Sequence, residues 1–353
     1  MKIFAVFSGF LGAGKTSLMM ALTKHHGAHH APAAMISNDL GEGVTLADHR
    51  LALLGGVEHA AEITGECICY CRDVLTARLD AFFDAGCELV VSDIPGFGVG
   101  ALEHVYHGLN SSRPGRYDLA PFTVVVEPER AAALRDGTGG DLAEIMQAQL
   151  LEADLIVLNK LDLLSPGEAA ALTAYLAARF PEAQVLAASA LTGAGLEALS
   201  RALTEGTASL RHPKIDYRGK TLRHAMGSLS EYYLQYRAVV CCDNFDGTDY
   251  LRALAGRAQA DVAAAGAEIP HLKLLAWTPE GDYGKADLLG VGRPTVTTRP
   301  FAGRCTDIAV LLNASAACPA KQLDRILTAA AESVSADYQL EMTVFTKDCF
   351  GMG

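Results

Sequence analysis

No apolar run in this sequence reaches the roughly 18–20 residues that a helix needs to cross a bilayer, which excludes a membrane-spanning helix as an organising element. Repeats at solenoid spacing are missing, as are long low-complexity tracts, and the 34 glycines follow no short period. Positive charge is scarce: 29 Lys and Arg stand against 41 Asp and Glu, a formal net charge of −12. A chain of that sign is repelled by nucleic acid and by anionic lipid, so neither is expected as a general partner, whereas metal cations and basic proteins are compatible with it. The stretch from Met1 to Gly14 carries no basic residue beyond Lys2, so it does not read as a secretory signal, and a cytoplasmic chain is expected. In that setting the nine cysteines read as thiols, metal ligands or redox groups rather than as a disulfide framework.

At about 100–200 residues per domain, 353 residues suggest two domains. Short apolar runs at Lys2 to Ser8, Ala33 to Ile36, Glu88 to Ser92, Phe122 to Val126, Leu155 to Leu158 and Gln184 to Ala188 read as strands. Helical stretches lie between them, including Thr16 to Lys24, Asp73 to Asp84, Gly167 to Arg179 and Gly195 to Leu203. Strands alternating with helices predict an α/β fold with a mostly parallel sheet covered on both faces. A polar, Gly-containing linker is expected over 211–230, dividing a first domain at 1–210 from a second at 231–353. In the second, strands at Tyr233 to Cys242, His271 to Thr278, Asp307 to Asn313 and Tyr338 to Phe345 enclose helices at Asp249 to Ala265 and Lys321 to Ser335. That order, β-α-β-β-α-β, is the ferredoxin-like arrangement of a smaller α+β domain.

Gly9-Phe10-Leu11-Gly12-Ala13-Gly14-Lys15-Thr16 fits G-x-x-x-x-G-K-[ST] at every fixed position, follows a strand and opens a helix. Glycines let backbone N–H groups turn onto phosphate oxygens, and the helix N-terminus adds positive potential. Lys15 then reaches the β- and γ-phosphates, the Thr16 hydroxyl ligates Mg²⁺, and Ser17 follows in the first turn. Phe10 stands where a variant P-loop ATPase would need an extra lysine. Leu89 to Asp93 is an apolar strand ending in a carboxylate, and Asp93-Ile94-Pro95-Gly96 fits D-x-x-G. Asp93 is placed to hold Mg²⁺ and the Gly96 N–H to sense the γ-phosphate. Phe97 follows Gly96, so a water-positioning Gln is missing from its usual place.

Asn159-Lys160-Leu161-Asp162 follows a buried strand. A buried carboxylate at Asp162 accepts from guanine N1–H and the exocyclic amine, donors that adenine does not offer in that pattern. Asn159 and Lys160 hold the loop and the base plane, and Ser189-Ala190 fits a last guanine-contacting loop. Together these motifs predict a P-loop NTPase of the GTPase type using GTP and Mg²⁺.

Cys67, Cys69 and Cys71 stand at i, i+2 and i+4. If that segment is extended, all three thiols share one face, most of a tetrahedral Zn²⁺ site, with Cu(I), Co²⁺ and Ni²⁺ also compatible. Water, Glu42, Glu66 or a histidine are candidates for a fourth ligand, and redox-active or merely buried thiols are the alternative. Adjacent Cys241 and Cys242 face opposite ways in a strand, with burial expected for one of them. In His25-His26-Gly27-Ala28-His29-His30, Gly27 is expected to end the preceding helix, so the tract reads as an exposed polar connection.

The sequence resembles the CobW-type P-loop GTPases, close to the HypB and UreG metallochaperones. The resemblance rests on Gly9 to Thr16, on Ser37-Asn38-Asp39-Leu40-Gly41-Glu42, similar to that family's N-[ED]-F-G-E switch segment, and on Ser189 to Gly195. It covers about residues 1–205. Asp93 stands where the family usually has Glu, and the family's C-x-C-C appears with Cys67 and Cys69 in place and Cys71 displaced by one. The resemblance implies a GTP-hydrolysing metallochaperone or metallocentre maturation factor, with transferable Zn²⁺, Co²⁺ or Ni²⁺ on the cysteines. It implies a client metalloprotein or cofactor-dependent enzyme as partner, and a homodimer as a candidate assembly. Glu42 and Asp39 are candidates for positioning the attacking water. The alternatives are a GTPase switch that activates a corrinoid or other cofactor-dependent enzyme without carrying metal, a small-molecule kinase, and a non-hydrolysing scaffold.

Overall fold

The computed structural model describes residues 1–43, 47–140, 142–241, 243–267, 269–288 and 296–352. Two compact units are present, Met1–Leu40 with Gly55–Ala225, and Gly41–Leu54 with Met226–Gly353. Among the described residues, no helix is long and apolar enough to cross a membrane.

The first unit is built on strands β1 (Ile3–Ser8), β2 (Ala33–Asn38), β3 (His59–Ile63), β4 (Leu89–Asp93), β5 (Asp118–Leu119), β6 (Thr123–Val126), β7 (Leu155–Leu158) and β8 (Gln184–Ala187). They pair in parallel in the order β3-β2-β4-β1-β6-β7-β8, with short β5 also on β1. Every residue of β1, β2, β4, β6 and β7 is buried. Helices on both faces demand such strands, which is why they read as unbroken apolar runs. Among the described residues, the α-helices of this unit include α1 (Lys15–His29), α3 (Arg72–Asp84), α4 (Gly108–Ser112), α5 (Pro128–Asp136), α6 (Leu142–Glu152), α7 (Pro166–Arg179) and α8 (Leu196–Glu205), while α2 (Ala47–Leu54) belongs to the second unit. Local chemistry fixes several boundaries. Ser165 caps α7 through a reciprocal capping box with Glu168, and Pro166 opens the helix. Because all the strands run one way, their C-terminal ends gather along a single edge, and Ser8, Asn38, Asp93, Val126 and Leu158 lie there.

Helix α1 continues to His29 and is not ended by Gly27. Glycine costs a helix interior only about 1 kcal/mol, and tertiary packing offsets it: His26 is buried and hydrogen-bonded to Ser200 of α8. The expected linker also contains a helix, α9 (Lys220–Gly227), whose apolar residues Leu222 and Ala225 are buried.

The second unit is a sheet in the order β12-β11-β10-β13-β9-β14, antiparallel throughout. Its strands are β9 (Ser230–Val240), β10 (His271–Trp277), β11 (Tyr283–Leu288), β12 (Val296–Arg299), β13 (Asp307–Ala316) and β14 (Leu340–Gly351), and its long helices are α10 (Gly247–Ala264) and α11 (Ala320–Asp337). Without β11 and β12 it is the predicted β-α-β-β-α-β unit. Those two strands extend the β10 edge, and Lys285 and Asp287 of β11 neutralise each other over 2.7 Å. Cys242, expected at the end of the first of these strands, lies outside the described residues. Leu272, Leu274 and Ala276 of β10 join the core with Leu254 and Leu327 of the two helices. The alternate residues of β10 meet α2: Lys273 Nζ lies 2.7 Å from Asp48 Oδ2, and Arg50 stacks 4.5 Å from the Trp277 ring centre. Segment Gly41–Leu54, read from sequence as part of the first domain, therefore packs with the second.

Candidate functional site

The loop from Gly9 to Thr16 joins β1 to α1 and takes a shape that only glycine permits at its two ends. Gly9 has φ +132°, and a Cβ there would lie 2.1 Å from the Val125 carbonyl oxygen; Gly14 has φ +88°, and a Cβ there would lie 2.5 Å from Asn159 Nδ2. Gly14 is also the N-cap of α1 and makes no side-chain cap bond, and a helix N-terminus of this kind carries positive potential that favours an anion. Lys15 Nζ donates to the Gly9 carbonyl over 2.7 Å, folding back across the loop. Ala13 and Thr16 are buried, Gly12 and Gly14 half-buried and Ser17 exposed. A backbone cradle with a lysine across it and a helix N-terminus behind it fits a polyphosphate.

Asp93 ends β4 level with Phe7 of β1, so its carboxylate stands beside the start of the loop. It is buried, and its Oδ1 accepts from the Asn38 N–H over 2.9 Å. A buried hydroxyl at Thr16 and a buried carboxylate at Asp93 are the hard oxygen donors that Mg²⁺ prefers. Gly96 lies directly on the phosphate loop, since a Cβ there would meet Leu11 Cδ2 at 2.6 Å and Leu11 N at 3.0 Å. Gln149 of α6, fully buried, fixes that contact by donating to the carbonyls of Gly96 (3.1 Å) and Gly98 (2.9 Å).

The Asn159–Asp162 loop reaches the same place from β7. Asn159 Nδ2 donates to the Ala13 carbonyl over 3.0 Å, and its Oδ1 accepts from Ala190 N–H over 3.3 Å. Lys160 adopts φ +61°, and its ammonium bonds the Gly12 carbonyl at 2.7 Å and the Glu127 carboxylate. Ser189 is buried and its hydroxyl donates to Asp162 Oδ1. Asp162 itself is exposed rather than buried, open to a ligand from outside. Glu127 also pairs with Arg130 over 3.0 Å, and Arg130 covers the Phe10 ring at 4.5 Å. Sequence reading missed Glu127, Arg130 and Gln149. Glu127 directly follows a buried strand, a signal that could have found it.

The cysteine segment is a turn, not a strand. Gly65 has φ +81°, and the Cys67 carbonyl accepts from Tyr70 N–H (2.8 Å) and Cys71 N–H (3.3 Å), which closes the chain into the N-cap of α3. The expectation that the three thiols share a strand face is therefore corrected. Cys67 and Cys69 pair: the Cys69 backbone N–H lies 3.4 Å from Cys67 Sγ. The Cys69 thiol also donates to Cys67 and holds it below the usual thiol value against burial, while the same bond and burial push Cys69 far up. The Cys71 thiol instead donates to the Cys67 carbonyl over 3.4 Å, and burial pushes it up to about 11. The three sulfurs do not all lie within 4.8 Å of one another.

Asn38 grips this turn on both sides of Cys67. Its Nδ2 donates to the carbonyls of Glu66 (2.8 Å) and Ile63 (3.0 Å), and its Oδ1 accepts from Ile68 N–H (3.0 Å). Asp39 turns locally, its Oδ1 accepting from Leu40 N–H over 2.9 Å. Glu42 belongs to the second unit, where its N–H donates to Asp348 Oδ2 over 3.2 Å.

Comparison with solved structures finds similar chains. HypB from Helicobacter pylori in complex with nickel is 18% identical, with 57% of this chain and 86% of that one covered and a TM-score of 0.41. Zn(II)-bound YjiA GTPase from E. coli is 15% identical, with 93% and 98% covered and a TM-score of 0.36. HypB from Archaeoglobus fulgidus is 21% identical, with 57% and 89% covered and a TM-score of 0.38. No curated protein matches the chain. The model of the CobW/HypB/UreG nucleotide-binding domain matches residues 3–187, over half of the sequence, and the chain belongs to that family of GTPases.

Proposed function

We propose that this protein hydrolyses GTP to GDP and phosphate and couples the nucleotide state to a transferable metal ion, serving as a metallochaperone or metallocentre maturation factor for a client enzyme. The observation that carries this reading is Asn38, whose backbone holds Asp93 and whose side chain holds both flanks of Cys67. A shift at Asp93 on binding or losing the γ-phosphate is transmitted to the cysteine turn through one residue. At the nucleotide, Lys15 leaves the Gly9 carbonyl for the β- and γ-phosphate oxygens, and the loop N–H groups stabilise charge on the transferring phosphoryl group. Thr16 and Asp93 would hold Mg²⁺, which when bound neutralises the β/γ oxygens. Asp162, steadied by Ser189, selects guanine. Cys67 and Cys69 supply the thiolates for Zn²⁺, Co²⁺ or Ni²⁺, and Cys71 joins them once its thiol leaves the Cys67 carbonyl.

The second reading, a GTPase switch that carries no metal itself, is favoured by that same engagement of Cys71 away from the other two sulfurs. Linkage separates the two. If metal and nucleotide are coupled, saturating Zn²⁺ changes the ratio of affinities for GDP and a non-hydrolysable GTP analogue. An unchanged ratio in the wild type supports the switch.

A further inference from the structure

The histidine tract is not a polar connection. Because α1 continues to His29 with His30 as its C-cap, His25, His26, His29 and His30 share its last turns, and α8 brings Glu197 to them in its own first turn. His25 Nε2 and His30 Nε2 each lie 3.0 Å from Glu197 Oε2, and these three atoms all lie within 4.8 Å of one another. We propose that His25, His30 and Glu197 form a second metal site, for a divalent transition ion such as Zn²⁺, Ni²⁺ or Co²⁺, separate from the cysteine turn.

Two imidazoles and one carboxylate are a donor set suited to these ions. Three protein ligands leave a fourth position open to water or to a ligand from another molecule. The carboxylate supplies one negative charge at the centre, and each ring can carry its proton on Nδ1 and offer an Nε2 lone pair. The rings are held in advance. His29 stacks on His25 with centroids 4.4 Å apart and bonds the His25 carbonyl at 2.9 Å. His26 is buried beneath, 5.1 Å from the His30 ring, with its Nδ1 2.8 Å from Ser200 Oγ, one turn beyond Glu197 on α8. That contact pins the end of α1 to α8 and fixes the spacing of the cluster. The side chains of His25, His30 and Glu197 are 21%, 40% and 60% exposed, so an ion can enter and leave. Contacts this exposed hold the side chains together only weakly as plain ion pairs. A comparable cluster at Glu103, His107 and His212 is weaker, because His107 Nε2 also faces the Arg211 carbonyl at 3.3 Å.

The test uses the full chain with Cys67, Cys69 and Cys71 all changed to Ser, so that its outcome is independent of the cysteine turn. Equilibrium dialysis with Zn²⁺ and Ni²⁺, and Co²⁺ absorption, measure what this variant still binds. One equivalent is expected, with a Co²⁺ spectrum free of thiolate charge transfer. Adding His25→Ala and His30→Ala should weaken binding at least about 100-fold, and Glu197→Gln about 10–100-fold, while GDP affinity and the thermal midpoint stay near those of the parent. His107→Ala/His212→Ala in the same background should leave the equivalent in place. No bound equivalent in the cysteine-free parent, or binding that survives the His25/His30 change, overturns the proposal.

Discussion

The backbone N–H of Asn38 donates to Asp93 Oδ1 over 2.9 Å, while its side chain accepts from Ile68 and donates to Glu66 on either side of Cys67. Replacing Asn38 by Ala removes the three side-chain bonds and takes from the buried Ile68 N–H its Oδ1 acceptor. A stability loss of about 2–4 kcal/mol is expected in urea unfolding. The ratio of Zn²⁺ affinities between the two nucleotide states should also collapse toward one. A full ratio in Asn38→Ala would show that coupling runs elsewhere.

Gly9→Ala drives a Cβ into the Val125 carbonyl, which belongs to a central strand and cannot give way. The change should cost more than about 2 kcal/mol and abolish binding of fluorescent GDP. Gly27→Ala, where a Cβ meets nothing within 4 Å, should keep binding and raise the thermal midpoint.

Asp162→Ala should lower the preference for GTP over ATP by about 100-fold or more, read as a ratio of kcat/KM values, because a hydrogen-bonding acceptor is what separates the bases. If the variant still turns over GTP in preference to ATP by the wild-type ratio, guanine selection lies outside this loop.

The phosphate loop, the Asp93 turn and the Asn159 loop were legible because each is a contiguous string at the end of one apolar strand. Residues that tie the strings together were not. Gln149 reaches Gly96, and Lys160 reaches Gly12 and Glu127, only because the parallel order brings distant strand ends to one edge. The i, i+2, i+4 cysteine pattern suggested a strand face, but the left-handed Gly65 and the Cys67 carbonyl turn the chain locally. In the second domain, the alternating helices and strands were readable from periodicity. Strand β11 escaped because its buried carboxylate, Asp287, looks like a loop residue until Lys285 is seen beside it. Nothing local in Gly41–Leu54 announces Lys273 and Trp277 as its neighbours.

Glu152, at the end of α6, is fully buried and accepts from Tyr217 OH over 2.8 Å. Burial raises its carboxyl from 4.5 to about 7, outweighing the opposing hydrogen bonds from Tyr217 and the Gly100 and Ala101 N–H groups and the charge of Arg211. The folded state therefore holds the proton more tightly than the unfolded one. The stability this contributes is fully present below pH 4.5 and is lost as pH rises through about 7. Glu152→Gln removes that dependence, so its stability relative to wild type should improve by up to about 3 kcal/mol between those limits. Parallel denaturation curves at pH 5 and pH 8 check this, and a constant difference would contradict it.

The most direct test of the central claim is a titration of the full chain with Zn²⁺, Co²⁺ and Ni²⁺ in two nucleotide states, GDP and a non-hydrolysable GTP analogue. The Cys67/Cys69/Cys71→Ser variant runs alongside. The account predicts one equivalent that requires these cysteines and whose affinity differs at least about 5-fold between the two states, the lower bound of a useful coupling. Equal affinity of the cysteine-dependent equivalent in both states, or as many bound equivalents in the variant as in the wild type, would contradict it.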